Sequence, residues 1–161
     1  MLIMGVDPGT VATGYGIVRK NNPSPLFVAG GVIRPGTKKV QAEKLLSIHA
    51  GLDKIIREFQ PSVMVVESLF HAVNSQSLIK LGQVRGVILL LGALHGMDVF
   101  EYSPLEIKRG ITGYGHADKS QVMFMIQKIL HVPPLKSFDQ ADALAMATYH
   151  AHSRLPQKVA K

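Results

Sequence analysis

The sequence predicts an α/β fold: a five-stranded mixed sheet, three antiparallel strands followed by two parallel ones, flanked by helices. Three observations carry that expectation. Short apolar or alternating runs crowd the first 33 residues, separated only by Gly, Pro and Asn turn signals, the pattern of an antiparallel meander. Two later apolar runs, Val63 to Val66 and Met97 to Tyr102, each follow a long stretch of helical periodicity, as strands paired in parallel through crossovers do. Beyond them the periodicity is helical to the end of the chain.

Leu2, Ile3, Met4 and Val6 form a buried strand that closes at Asp7-Pro8-Gly9-Thr10. Asp7 therefore emerges at the rim of the sheet, where open α/β sheets present metal or phosphate sites. On these residues alone an ordinary Asp-Pro-Gly turn explains the string equally well. Gly9 allows a sharp turn, and Gly14 and Gly16 leave room beside the next strand for something bulky. Thr13 to Arg19 is the second strand, Asn21 to Pro25 a turn, and Leu26 to Ile33 the third strand. Lys38-Lys39 opens a helix in which Leu45, Ile48, Leu52, Ile55, Ile56 and Phe59 make one apolar stripe, ended by Pro61. Val63 to Val66 is then a strand buried on both faces, with Glu67 as a second carboxylate at a strand end.

Ser68 to His71 reads as a loop and Ser75 to Leu94 as a helix whose second half, Val87 to Leu94, is apolar nearly all round. Such a helix needs cover on two sides, which predicts a homodimer built on it; burial within its own domain is the alternative. After the strand Met97 to Tyr102, Ser103-Pro104 starts a polar, Gly-rich passage from Glu106 to Gly115 that reads as a mobile binding loop. Asp118 and Gln121 have capping-box spacing ahead of a helix buried through Val122, Met123, Met125, Ile126, Ile129 and Leu130. The last helix begins at Ser137, with Gln140 as capping partner. Asp139 and Asp142 share one face of it, and Ala141, Ala143, Ala145 and Ala147 permit close approach to a neighbour. No repeat or linker divides residues 1–161, and the tail, about 155–161, is expected to be frayed and disordered.

Composition narrows the chemistry. The 161 residues contain no cysteine, so disulfides and thiolate zinc sites are excluded, and a metal must be held by carboxylates or histidines, which suits magnesium or manganese. Met1 leads straight into a strand without a signal peptide, and the run Val87 to Leu91 is too short to span a bilayer, so a soluble cytoplasmic protein without a membrane partner is expected. The net charge of +7 and pI near 9.8 favour a polyanionic partner, nucleic acid first, over a merely basic surface.

Asp7, Glu67, Asp139 and Asp142 are expected to meet, because the last helix can lay its acidic face beside two neighbouring strand ends. Two carboxylates about 4 Å apart repel by roughly 4 kcal/mol near a protein surface. Four together need a cation. Two divalent ions held this way activate a water and stabilise the leaving oxygen of an in-line displacement at phosphorus, so an acidic pit in a basic field is the layout of a metal-dependent nuclease.

The order β-β-β-α-β-α-β-α with acids at these positions resembles the ribonuclease H-like fold. The strings Gly5-Val6-Asp7-Pro8-Gly9-Thr10, Thr13-Gly14-Tyr15-Gly16, Glu67-Ser68-Leu69-Phe70, Leu81-Gly82-Gln83-Val84-Arg85-Gly86, Ser103-Pro104, Thr112 to Lys119 and Asp139-Gln140-Ala141-Asp142-Ala143-Leu144-Ala145 resemble the bacterial RuvC family of Holliday-junction resolvases over nearly the whole chain. The resemblance implies a dimeric endonuclease that makes paired symmetric nicks across four-way DNA junctions in recombination and repair, using two magnesium (or manganese) ions per site. It implies that Asp7, Glu67, Asp139 and Asp142 are the catalytic metal-binding acids, that Lys108 and Lys119 lie by the scissile phosphate with Lys119 assisting catalysis, and that Phe70 stacks on or wedges a base. Lys80, Arg85, Arg109, Tyr114 and His116 are further expected DNA contacts, and a branch-migration helicase complex of the RuvA and RuvB type is an expected partner. Val73 departs from the Lys that similar proteins often carry; the other histidines have no ligand spacing. Rival resemblances are the sugar-kinase and actin-like phosphotransferases at the N-terminus, a nucleic-acid-binding module without activity, and a related nuclease of ribosomal RNA precursors.

Overall fold

The computed structural model describes residues 1–68 and 75–153. Strands β1 (Leu2–Asp7), β2 (Thr13–Arg19) and β3 (Leu26–Ile33) form the antiparallel meander, and β4 (Val63–Glu67) and β5 (Asp98–Tyr102) continue the sheet in parallel on the other side of β1, giving the order β3-β2-β1-β4-β5. Helices α1 (Gln41–Phe59) and α2 (Ser75–Leu94) cover one face; α3 (Pro104–Thr112), α4 (Lys119–Leu130) and α5 (Phe138–His152) cover the other.

The two-residue period of a strand sorts the core between these layers. Met4, Val6, Met64 and Val66 meet Ile48, Leu52, Ile56, Val84 and Ile88 of α1 and α2. Ile3, Val65 and Phe100 face α4 and α5, where Ile126 and Leu144 pack. Asp7 and Glu67 continue the α5-facing series, so alternation alone aims both carboxylates at the same side. All four alanines, Ala141, Ala143, Ala145 and Ala147, are fully buried, and α5 lies directly on β1 and β2.

Three sequence readings need correction. The polar passage after Ser103 is helix α3 rather than a loop. Ser103 Oγ accepts the Glu106 N–H at 3.3 Å, Glu106 Oε2 accepts the Ser103 N–H at 2.8 Å, Pro104 opens the first turn, and Gly113 ends the helix at φ +78°. Gly110, which suggested flexibility, is a contact point: a Cβ there would lie 2.2 Å from the Tyr149 ring. Helix α1 starts at Gln41, after the Lys38-Lys39 pair, because the Glu43 carboxylate accepts the Val40 N–H at 3.1 Å and fixes the start there. Ser137 does precede α5, but its hydroxyl donates to Asp139 Oδ2 at 3.1 Å, and neither it nor Gln140 makes the expected cap. The expected disorder of the tail concerns residues outside those described.

Helix α2 buries Val84, Ile88, Leu91 and Gly92, and its opposite side exposes Ile79, Leu90 and Leu94 beside Gly82 and Gly86, over which none of the described residues packs. By length and composition α2 also passes for a membrane span, yet its inner side is part of the core and its Arg85 ion-pairs with Glu101 of β5.

The layer between β5 and α5 contains a buried polar pair. Tyr102 Oη and His150 Nδ1 lie 2.9 Å apart, with the Phe100 ring 4.4 Å from the imidazole. Burial, helped by Lys20, holds His150 down at about 4. The unfolded chain takes up a proton near pH 6.5 that the folded chain refuses, so this neutral histidine contributes stability above pH 6.5 that is lost as pH falls toward 4. The raised carboxyls of the acid cluster act in the opposite direction over this range, so the histidine is read as a difference: from pH 7 to pH 4.5 the parent should lose up to roughly 3 kcal/mol of stability relative to His150→Phe. A difference that does not change with pH would place the titration elsewhere.

Candidate active site

The site is assembled at the carboxyl ends of β1 and β4. These strands are parallel neighbours, with Val6 beside Val66, so the next residues, Asp7 and Glu67, leave the sheet side by side. Ser68 holds the Glu67 end in place: its N–H and its hydroxyl both donate to the Tyr102 carbonyl, at 3.0 and 3.2 Å. On the other side of β1, Asp7 is in register with Gly14, and Gly14 touches the backbone of Asp139, the first acid of α5. Asp142 follows one turn later. Together Asp7, Glu67 and Asp142 line a cavity of about 200 Å³ with Lys108, Lys119, Pro104 and Ile107. Asp139 stands at its edge, close enough to raise the carboxyls of Asp7 and Asp142.

The electrostatics are those of charges crowded in a poorly hydrated place. Asp7 is pushed up to about 8, first by burial, then by Asp142 and Glu67. Burial also raises Glu67, with Asp142 adding to it, and raises Asp142 against the pull of Lys119. Lys119 Nζ sits 3.1 Å from Asp142 Oδ2 and acts as its counter-ion. Four carboxylates with one contacting ammonium leave net negative charge, and the donors are all hard oxygens, so the residues fit magnesium-like cations. Among the described residues no three of these groups close on one point at ligand spacing: Asp142 turns to Lys119 and Asp139 to Ser137.

A family model described as crossover junction endodeoxyribonuclease RuvC matches residues 3–150. The chain belongs to the RuvC family. The RuvC of Geobacter sulfurreducens is 40% identical over 159 residues, 99% of this chain and 97% of that protein, and that of Natranaerobius thermophilus is 42% identical over 154 residues, 95% and 96% of the two chains. RuvC of Thermus thermophilus, solved in complex with a Holliday junction substrate, superposes with a TM-score of 0.87 at 30% identity, covering 94% of this chain and 93% of that one. The yeast mitochondrial Holliday junction resolvase Ydc2 shares the fold, with a TM-score of 0.66 at 12% identity over 92% of this chain and 77% of that one. The RuvC family is one of metal-dependent nucleases, and its ribonuclease H-like sheet is the one described above.

The remaining residues read for this RuvC chain fall into groups. Lys108 lines the pit from α3, and Arg109 beside it is exposed. Tyr114 and His116 occupy the α3–α4 connection, their rings packed edge to face at 5.7 Å. Lys80 and Arg85 are on α2, on the opposite face of the sheet from the acids; Lys80 is exposed and Arg85 is held by Glu101. Phe70 and Val73 lie outside the described residues. Sequence reasoning missed Thr13, which is fully buried and donates from Oγ1 to the Gly9 carbonyl at 2.9 Å, bracing the turn that follows Asp7. A Thr four residues after the glycine of a turn was the available signal. It also missed the apolar wall of the pit, Pro104, Ile107, Val122 and Met146, because that wall belongs to three separate helices.

Proposed function

We propose that this chain resolves four-way DNA junctions by paired symmetric nicks, as a homodimer in the cytoplasm, with two magnesium ions per site that manganese can replace. The observation that carries the chemistry is the buried Asp7 carboxyl, raised to about 8 among three further acids in a chain of net charge +7. Asp7, Glu67, Asp139 and Asp142 would hold the ions, which when bound activate water and stabilise the leaving oxygen of phosphodiester hydrolysis. Lys108 and Lys119 attract and orient the phosphate at the mouth of the pit, and the apolar wall keeps bulk water from competing. The Thermus thermophilus relative was solved on a Holliday junction, which supports the substrate. Phe70, Arg109, Tyr114 and His116 extend the DNA contact in this reading; Lys80 belongs to it only if junction arms wrap toward α2. A branch-migration complex of the RuvA and RuvB type would deliver the junction.

The bare side of α2 supports the dimer. Gly82 and Gly86 let a second backbone approach closely, with Ile79, Leu90 and Leu94 around them, and an isologous pairing there gives a pair of pits related by a two-fold axis, as symmetric nicking requires. Leu90→Arg is expected to convert the dimer to monomers at micromolar concentration in sedimentation runs, and to replace paired nicks by single ones. A wild-type monomer would end the dimer reading.

The direct test compares a synthetic four-way junction, linear duplex and an RNA/DNA hybrid, with and without magnesium. Cleavage confined to the junction with magnesium is expected; preference for the hybrid or indifference to metal would overturn the proposal. Lys119→Ala is expected to slow cleavage and to lower the salt dependence of junction binding by about one unit of slope, for one lost phosphate contact. An unchanged slope and rate would remove Lys119 from the DNA.

A further inference from the structure

Two large aromatic side chains stand exposed a short way from the pit. Tyr114 is 61% and Phe124 57% accessible. Both line one depression of about 240 Å³, completed by Thr112, Ala117, Gln121 and Met125, with no acidic residue in its wall. The Tyr114 side is fixed in advance. Gly113 turns the chain at φ +78°, the Thr112 hydroxyl accepts the Tyr114 N–H at 3.1 Å, and His116 packs against the tyrosine ring. The Phe124 side is rigid because α4 carries it, and Lys128, one turn on, holds its ammonium 5.4 Å from the ring centroid.

In the wall of the same depression, Gln121 is already oriented. Its Oε1 accepts the Asp118 N–H at 2.9 Å, which leaves both protons of the amide nitrogen free to donate. A depression lined by two aromatic rings and an amide donor, with the Lys128 ammonium over one ring, is complementary to a planar heterocycle on a polyanionic chain. The depression neighbours the catalytic site along α4 and shares none of its lining residues. Lys119, which lines the pit, is two residues before Gln121 and five before Phe124, about 7.5 Å along the helix axis.

We infer that this depression is a base-binding subsite: one unpaired nucleobase of the cut strand, close to the scissile phosphate, stacks on Phe124 with Tyr114 beside it and presents a carbonyl oxygen or ring nitrogen to the Gln121 amide, while Lys128 attends its phosphate. The inference rests on the reading of the chain as a junction nuclease and adds a place where the base beside the cut is held. An apolar peptide is the other occupant such a groove would take. The ammonium of Lys128 over the Phe124 ring and the nearness of the pit along α4 favour the nucleic-acid strand.

The test uses full-length Asp7→Asn protein, which is expected to bind without cutting, and four-way junctions carrying 2-aminopurine at each of the two positions on either side of the cleaved phosphate. At one position the bound probe should stay quenched by ring stacking. With Phe124→Ala added, its fluorescence should rise several-fold and junction affinity fall about ten-fold, and Phe124→Trp should restore both. Because Phe124 is exposed, the melting temperature should not move. Equal fluorescence and affinity with Phe124→Ala would overturn the subsite and leave the groove to a protein partner; a loss that follows a lowered melting temperature and is not rescued by Trp would make Phe124 structural and overturn it too. Failure of the unsubstituted protein, in chelator, to bind any junction would sink the functional reading itself, whereas normal binding with no probe response sinks the subsite alone.

Discussion

Asp7→Asn is expected to abolish junction cleavage, by at least about a thousand-fold, while junction affinity stays within a few-fold of the parent. It removes a carboxyl group from the centre of the pit and leaves every basic residue in place. The same substitution should stabilise the metal-free protein. The Asp7 carboxyl ionises near pH 8 in the folded chain against 3.8 ordinarily, because burial and the neighbouring acids disfavour its charge. A carboxyl raised in this way leaves stability intact below pH 3.8 and takes it away as pH climbs toward 8, up to roughly 4 kcal/mol at pH 7. Asparagine carries no such charge. In chelator at pH 7 the variant should melt higher than the parent, on the order of 10 °C, and magnesium should raise the parent's melting temperature while leaving the variant's nearly fixed. Joint loss of binding and cleavage, or a variant that melts lower in chelator, would make Asp7 a structural residue.

Gly14→Ala is expected to lower turnover by about a hundred-fold with all four acids still present. Gly14 is in register with Asp7 on one side and touches α5 on the other: a Cβ there would lie 2.0 Å from the Asp139 carbonyl oxygen and 2.4 Å from its carbon. Contacts that short cannot exist, so α5 must retreat by more than about 1 Å, taking Asp139 and Asp142 away from Asp7 and Glu67. The accompanying loss of stability should be about 1–3 kcal/mol, read as a lower melting temperature. Gly5 makes the equivalent contact further along, its Cβ position 2.0 Å from the Ala143 carbonyl oxygen, so Gly5→Ala should act in the same direction. Turnover and magnesium affinity that survive the lowered melting temperature would mean that the helix position is set elsewhere.

The two glycines mark where legibility ended. The room expected beside Gly14 and Gly16 was real, but α5 fills it, with Asp139 at Gly14 and Leu144 at Gly16. A glycine in a strand announces close approach without naming what approaches. Helix α3 failed differently. Its start signal, Ser103-Pro104 with Glu106 at the third position, was present, and the glycines at 110 and 113 outweighed it, one a packing contact and the other a terminator. Arg85 reads as a free cation in the chain, and only the folding of β5 beneath α2 supplies Glu101 as its partner.

By itself the sequence determined the five strands and their pairing, the strand ends at which Asp7 and Glu67 emerge, the excess of positive charge and the family. Each depends on local periodicity, turn residues or composition, which neighbouring residues encode. The tertiary structure decided how far the carboxyl of Asp7 is displaced, which ammonium faces Asp142, and that Tyr114, Gln121 and Phe124 share one depression. Those depend on distances of a few ångströms between segments far apart in the chain, set by backbone contacts such as Gly14 with Asp139 and therefore fixed only when the layers close.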